Sequence, residues 1–357
     1  SAVIMNFDRF SSQVVMAGKN KGVTLSGYDV RKANATGIDL LGTKVGMSAL
    51  LNEHRVVHLV LNNCQVSKIG VPLPELTTVI NMNQGDINMF EMFGRVEDEL
   101  TIFPAQLNKL ILMVQQMFTA DPSKKSIIDS VLNDLLIQFY VDKKMWYYNA
   151  QENRDRLRLV GLPHDQYPRL RVFITYLDML YKSILQSNKY DPDQLYAVNV
   201  LRGVFRKMLT NNSDLFDTIT SKRIDDVRKG QRIIYQFGDL YKRGISVAMA
   251  QYVNALGFAV GSLNAGDVVI VHGIDVLTPE VKAYTKTQFD LLHNQGVRTV
   301  LLYNDIDMMM DERMFNKFDE ADYLILGGMS AVQVNRLKKT IEKDFTESLS
   351  KLMVHNI

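Results

Sequence analysis

Short apolar runs bounded by polar turn residues dominate residues 1–99. The clearest are 56–61, which reads VVHLVL and ends at two asparagines, and 77–82, which reads TTVINM and ends before Gln84. Runs of this length that are rich in β-branched residues and closed by turn formers are typical of buried strands. The pattern therefore predicts a strand over each run.

A helical period replaces the strand pattern between residues 100 and 225. Apolar side chains recur at helical spacing from Leu107 to Phe118, and Asp121 and Asp191 are each followed directly by proline. An Asp that caps a helix and a Pro at the first helical position are signals for a helix start. Residues 100–225 are therefore predicted to form a mostly helical subdomain inserted between two α/β blocks.

Strands and helices alternate in the last block, residues 226–357. Alternation at this spacing predicts βαβ units and a parallel sheet, to which the strands of the first block also belong. The predicted strands are 232–237, 268–271, 298–303 and 323–326, and the predicted helices are 246–258, 279–294, 311–318 and the segment from Ser330 onward.

Composition indicates a globular protein with one large domain and an insertion, or with two domains. The chain has 357 residues, of which 46% are hydrophobic and 22% charged, and its formal charge of +2 is too small to indicate a nucleic-acid partner. A single cysteine, Cys64, excludes an internal disulfide and a thiolate metal site. No apolar run of 18 residues occurs, so membrane association is expected only through partners. A first residue that is Ser rather than Met is expected of a segment cut from a longer polypeptide.

Two local patterns look like binding sites, but we interpret both as structural features. His54 and His58 have the spacing of two metal ligands on a helix face, but His58 falls in a strand-like run and no third ligand is near. The glycine-flanked segment 18–22 is similar to a phosphate loop in composition only, because no apolar strand of sufficient length precedes it. We interpret the histidines as core or edge residues and the segment as a turn between two strands.

The most informative run is 267–275, DVVIVHGID, which predicts a strand buried on both faces in the centre of a parallel sheet. Nucleotide-hydrolysing enzymes of this architecture end such a strand with acidic residues, which hold Mg²⁺ and orient the attacking water. His272 and Gly273 occupy these places, and the nearest carboxylate, Asp275, lies beyond the turn. The strand therefore has the pattern of an ATPase strand without its acidic pair.

Six short segments extend this likeness along the chain. They are DINMFEMF (86–93), GVF (203–205), LFD (215–217), FGDL (237–240), QGVRTVLLYND (295–305) and GG (327–328). Together with the order of elements, they resemble the ATPase region of the conjugation and type IV secretion traffic ATPases, the class of the fourth VirB protein in the FtsK/HerA branch of P-loop motors. The resemblance implies a RecA-like P-loop NTPase-type parallel sheet with helices on both faces and a mostly helical inserted subdomain. It divides the chain into a first RecA-like part, 1–99, an insertion, 100–225, and a second RecA-like part, 226–357.

The resemblance also locates the places that would bind nucleotide, and each of them is altered. The best phosphate-loop candidate is one residue shorter than the GxxxxGK[ST] pattern and has Met47 where lysine neutralises the phosphates. Lys44 could replace that lysine only if the loop rearranged, and the sensor glutamine of the family becomes Asn304 or Tyr303. The degenerate positions are Gly42, Thr43, Lys44, Gly46 and Ser48 in the loop, His272, Gly273 and Asp275 at the strand end, and Asn304 at the sensor place.

Three losses at one site favour a catalytically degenerate subunit with a structural or scaffolding role in a conjugative transfer or type IV secretion machine. No catalytic residue, metal site or cofactor is expected in that case. The expected partners are other subunits of the machine, in a homo-oligomer or with an active paralogue, on the cytoplasmic face of a membrane. Two alternatives remain open: a divergent but active ATPase that uses ATP and Mg²⁺, and a nucleic-acid binding module derived from the P-loop fold, for which DNA is only weakly indicated.

Overall fold

The computed structural model describes residues 12–16, 24–25, 28–29, 49–61, 74–303, 323–326 and 330–341. Its chain divides into two compact units. The sheet unit comprises 1–81, 227–242 and 263–357, and the helical unit comprises 82–226 and 243–262. The helical unit thus takes residues 82–99, 226 and 243–262 in addition to the insertion predicted at 100–225.

A seven-stranded parallel sheet forms the centre of the sheet unit. Its strand order is β5-β6-β4-β7-β8-β1-β9, and a separate antiparallel pair joins β2 and β3. The strands are β1 Ser12–Met16, β2 Thr24–Leu25, β3 Tyr28–Asp29, β4 Val56–Val60, β5 Thr77–Asn81, β6 Arg232–Gln236, β7 Val268–His272, β8 Arg298–Tyr303 and β9 Tyr323–Leu326.

Eight α-helices are described along the chain. They are α1 Glu99–Met117, α2 Pro122–Asp142, α3 Leu170–Gln186, α4 Pro192–Phe216, α5 Lys222–Val227, α6 Ile245–Val260, α7 Pro279–Asn294 and α8 Ala331–Ile341. Residues 49–51 are also helical and directly precede the turn into β4. The predicted helix at 311–318 lies outside the described residues.

Burial explains the apolar runs that the sequence displays. All five residues of β4, β6 and β7 are buried, because each of these strands has a hydrogen-bonded neighbour on both sides and both of its faces are covered. The predicted strands at 56–61, 232–237 and 268–271 are therefore confirmed. A buried strand in this position cannot show the polar alternation of a half-exposed one.

One strand of the sheet was missed, and its position corrects an interpretation. Strand β1 lies between β8 and β9 and is parallel to both, although its sequence, SQVVM, begins with two polar residues. Strand β1 precedes segment 18–22, so the expectation that no apolar strand of sufficient length lies before that segment is wrong. The strands on either side of that segment, β1 and β2, belong to different sheets, so they do not form a hairpin with each other. Residues 18–22 themselves lie outside the described residues.

The helical unit is built around packed aromatic rings. Phe173 of α3 lies at the centre of this core, with ring centroids 4.9 Å from Phe139, 5.1 Å from Phe205 and 5.3 Å from Phe90. Tilted and edge-to-face contacts of this kind add to the stabilisation that burial provides. The core thus joins α2, α3, α4 and the segment before α1 into one folded body.

The Asp-Pro sequences start helices as predicted. The side chain of Asp121 accepts a hydrogen bond from the backbone N–H of Ser123, and that of Asp191 accepts one from Asp193. Each proline occupies the first helical turn, where its missing N–H would have no partner within the helix. Helix α3 was not predicted, because the sequence before it carries no comparable start signal and its N-cap, Arg169, makes no side-chain cap.

Candidate functional site

The candidate site begins where β7 ends, at the carboxyl edge of the parallel sheet. Ligands of open α/β sheets bind at this edge. Strand β7 lies between β4 and β8 and ends at His272. Gly273 follows with a φ of 80°, a left-handed conformation that glycine adopts without steric cost. The chain then makes a short 3-10 turn, Ile274–Val276, in which Asp275 is buried.

His272 contacts His58 on the neighbouring strand β4. Nδ1 of His58 lies 2.9 Å from Nε2 of His272, and the two rings stack with centroids 5.2 Å apart. Both residues are fully buried. Because β4 and β7 are parallel with Val60 opposite His272, His58 is the diagonal neighbour on the same face. The prediction that His58 is a core histidine is confirmed.

His54 does not take part in this pair. Its Nδ1 lies 3.7 Å from Oδ1 of Asp267, the residue that precedes β7. His54 precedes β4 and His272 ends β7, so the two lie at opposite edges of the parallel sheet. His54 and His58 are four residues apart in sequence, but their side chains have different contacts and do not form a common site. Among the residues that the structure describes, no group of three or more His, Cys, Asp or Glu side chains could hold a metal ion.

Burial keeps both imidazoles of the pair neutral. It lowers the pKa of His272 to about 3, and it is the largest cause that lowers the pKa of His58, to which repulsion by His272 and Arg232 adds. A hydrogen bond between two neutral imidazoles needs an N–H on one ring and a lone pair on the other, so their tautomers are coupled. Nε2 of His58 has no hydrogen-bond partner within the described part of the chain.

This arrangement differs chemically from an acidic pair. A neutral imidazole carries no negative charge with which to attract hydrated Mg²⁺, and His272 is enclosed and hydrogen-bonded to another side chain. The ring is therefore part of the sheet core. Asp275 is the carboxylate nearest in sequence, and it is 7% exposed within the turn that follows.

A second carboxylate at the same edge was not assigned to the site from the sequence, although it lies in the FGDL segment. Asp239 follows β6 and accepts hydrogen bonds from Nδ2 of Asn81 at 2.7 Å and from Nζ of Lys242 at 3.0 Å. Asn81 is the last residue of β5, so the contact links the ends of two adjacent strands. Strand adjacency brings these residues together, and the sequence separation of 158 residues between Asn81 and Asp239 gave no signal of it.

The remaining predicted positions lie outside the described residues. They are Gly42, Thr43, Lys44, Gly46 and Ser48 of the phosphate-loop candidate, and Asn304 of the sensor place. The helical residues Ala49 and Leu50, which directly follow the loop candidate, are described and buried.

Within the described ranges, no helix is both long enough and apolar enough to cross a membrane.

Comparison with known proteins identifies the fold through structure and not through sequence. No protein-family model and no curated protein sequence matches the chain. The structure of VirB4 of Thermoanaerobacter pseudethanolicus is similar with a TM-score of 0.68 and 13% identity, over 97% of this chain and 84% of that one. The bacterial conjugative coupling protein TrwBdeltaN70, in complex with sulphate, gives a TM-score of 0.53 and 14% identity, over 92% of this chain and 72% of that one. The chain therefore has the RecA-like fold, a parallel sheet with helices, that VirB4 and the conjugative coupling protein share.

Proposed function

We propose that the chain is an ATPase-like subunit of a conjugation or type IV secretion machine whose nucleotide site has lost its chemistry. The observation that supports this most directly is the buried His58–His272 pair at the end of the central strand. An active site of this class needs anionic groups at this place, one to hold Mg²⁺ through water and one to orient the attacking water.

Restoring such a function from this arrangement would need more than a change of rotamer. His272 would have to leave the core and break its hydrogen bond with His58, and an imidazole is neutral or cationic there and never anionic. The phosphate-loop candidate adds a second loss, since Met47 supplies no charge to a bound phosphate. One loss removes the groups that would hold the metal, and the other removes the charge that would neutralise the phosphate.

A scaffolding role follows because such a chain would keep the surfaces through which motor subunits pack together. Its fold provides the packing surfaces of a motor subunit, and motors of this type work as closed oligomers. The partners would be other subunits of the secretion machine, either further copies of this chain or an active paralogue. The location would be the cytoplasmic face of a membrane, reached through those partners.

We expect the purified chain to associate with itself or with an active paralogue through its sheet unit. Sedimentation velocity of the chain alone and mixed with the paralogue measures this directly. A complex larger than the monomer in either sample supports the scaffolding role. A chain that stays monomeric in both samples would contradict it, whatever its nucleotide chemistry.

The rival function is a divergent ATPase, which the fold by itself also permits. Such an enzyme would build its phosphate site from Gly42 to Ser48 and would need ATP and Mg²⁺. In that case Ser48→Ala removes the hydroxyl that faces the metal and abolishes phosphate release. In a degenerate subunit the wild-type chain releases no phosphate, so the substitution changes nothing.

A further inference from the structure

The helical unit contains a cleft of about 350 Å³ that the proposed nucleotide chemistry does not use. It lies between the carboxyl end of α2 and the segment that leads into α3. Three cationic side chains line it, those of Lys143, Lys144 and Arg158. Met145 and Tyr167 also line it and are buried, and we call these two residues its apolar floor.

The wall of the cleft is held in place by buried hydrogen bonds. Oε1 of Glu99 accepts from the backbone N–H groups of Leu159 at 3.0 Å and Val160 at 3.2 Å. The hydroxyl of Tyr167 donates to the carbonyl of Leu159 at 3.0 Å, and the N–H of Arg158 donates to the carbonyl of Met145 at 3.2 Å. A ligand would therefore meet a cleft that is already formed, which lowers the entropic cost of binding.

Cationic residues predominate in the stretch of sequence that supplies the cleft. Residues 143–171 contain seven lysines and arginines against three acidic residues, and of these cations Arg171 is paired with Asp217 outside the stretch. The described residues that line the cleft include no carboxylate. Among the described residues, the recorded side-chain contacts of its cations are that of Lys143 with the ring of Phe139 and that of Arg158 with Gln166. The three cations, Lys143, Lys144 and Arg158, form what we call the cationic rim, which is complementary to an anionic ligand.

The aromatic residues beside the cleft argue against single-stranded nucleic acid as that ligand. Such ligands bind through bases stacked on open aromatic faces. Trp146 instead stacks on Phe103, with centroids 4.0 Å apart, and the guanidinium of Arg156 lies over the ring of Tyr147 at 4.6 Å. Of the three consecutive aromatic residues, only Tyr148 is largely exposed.

We propose that this basic cleft binds a short acidic peptide segment of a protein partner. The carboxylates of the segment pair with Lys143, Lys144 and Arg158, and one of its apolar side chains contacts the floor at Met145 and Tyr167. This combination of an apolar floor and a cationic rim fits neither a bare anion nor a fully hydrophobic ligand. The inference goes beyond the proposed function, because no residue of the nucleotide site contributes to it.

Fluorescence anisotropy with the full chain tests the proposal. The first probes are labelled eight-residue peptides of Glu and Asp that carry one Leu or Phe, placed at each position in turn. The second are the same peptides with Gln and Asn in place of Glu and Asp, and the third is a single-stranded oligonucleotide. The test variant is Lys143→Gln/Lys144→Gln/Arg158→Gln. The matched control, Lys182→Gln/Lys189→Gln/Lys207→Gln, removes three exposed charges elsewhere in the same unit. Circular dichroism verifies that both variants are folded.

We expect an acidic peptide to bind the wild-type chain and the control equally, and the test variant about tenfold more weakly. Replacing the apolar residue of that peptide by Ser should weaken binding further, which separates the cleft from a general basic surface. The proposal is overturned if no acidic peptide binds, if both triple variants lose affinity alike, or if the oligonucleotide binds more tightly and depends on the same three cations.

Discussion

Replacing one histidine of the buried pair is expected to lower the free energy of unfolding by about 1–3 kcal/mol, and replacing both is expected to cost much less than the sum. In His58→Leu or His272→Leu, the remaining imidazole stays in the core and loses the hydrogen bond between the two rings. In the double variant both polar groups are gone, and leucine fills a similar volume. Urea unfolding of the four proteins gives the coupling energy.

The same double variant should also be less sensitive to acid. Both histidines have lowered pKa values in the folded protein, that of His272 being about 3 instead of 6.5, so protons bind preferentially to the unfolded chain as the pH falls below 6.5. Stability that is present above that pH is therefore lost on acidification, by up to about 1.4 kcal/mol per pH unit for each histidine. The double Leu variant lacks this loss.

Two outcomes would contradict this account of the pair. Single and double replacements with additive costs would mean that the two rings do not interact. Equal loss of stability in the wild-type chain and the double variant between about pH 6 and pH 4 would mean that the histidines are not buried as neutral groups.

Lys109→Met is expected to remove a pH dependence of stability at alkaline pH. Lys109 is 5% exposed in α1, and its Nζ lies 3.5 Å from Oδ1 of Asn254. Burial lowers its pKa from 10.5 to about 7, an effect that the charge of Glu91 partly offsets. Between these values the unfolded chain holds a proton that the folded chain does not. Stability therefore rises with pH across this window, by up to about 1.4 kcal/mol per pH unit.

The free energies of unfolding of the wild-type chain and of Lys109→Met are compared between pH 7.5 and pH 9.5. This window lies above the lowered pKa of Lys109, which is about 7. We expect the Met variant to be the more stable protein at the lower end, with the advantage shrinking as the pH rises. Lys182→Met, which removes an exposed lysine of the same unit, should follow the wild-type pH dependence. Parallel curves for the wild-type chain and Lys109→Met would show that Lys109 is solvated or remains charged in the fold.

The sequence predicted the architecture well where burial determines composition. The apolar run at 268–271 could only suit a strand with both faces covered, and the Asp-Pro sequences at 121 and 191 have a local physical meaning as helix starts. Strand β1 was missed because SQVVM carries three apolar residues, too few to stand out, although pairing with two neighbours makes it an interior strand.

The candidate site was predictable in position but not in its contacts. The strand that ends at His272 was located from its own residues, whereas the partnership with His58 depends on the register of β4 against β7. Register is set by the tertiary structure, and His58 lies 214 residues from His272 in sequence. The link between Asn81 and Asp239 escaped notice for the same reason.

We propose that this chain neither binds nor hydrolyses ATP, and calorimetry combined with a phosphate-release assay tests that proposal. The purified chain is titrated with ATP and Mg²⁺ in a calorimeter, and phosphate release is followed in the same sample. We expect no saturable heat and no phosphate above the protein-free control. Saturable binding with turnover, lost in Ser48→Ala, would contradict it and would establish the divergent ATPase instead.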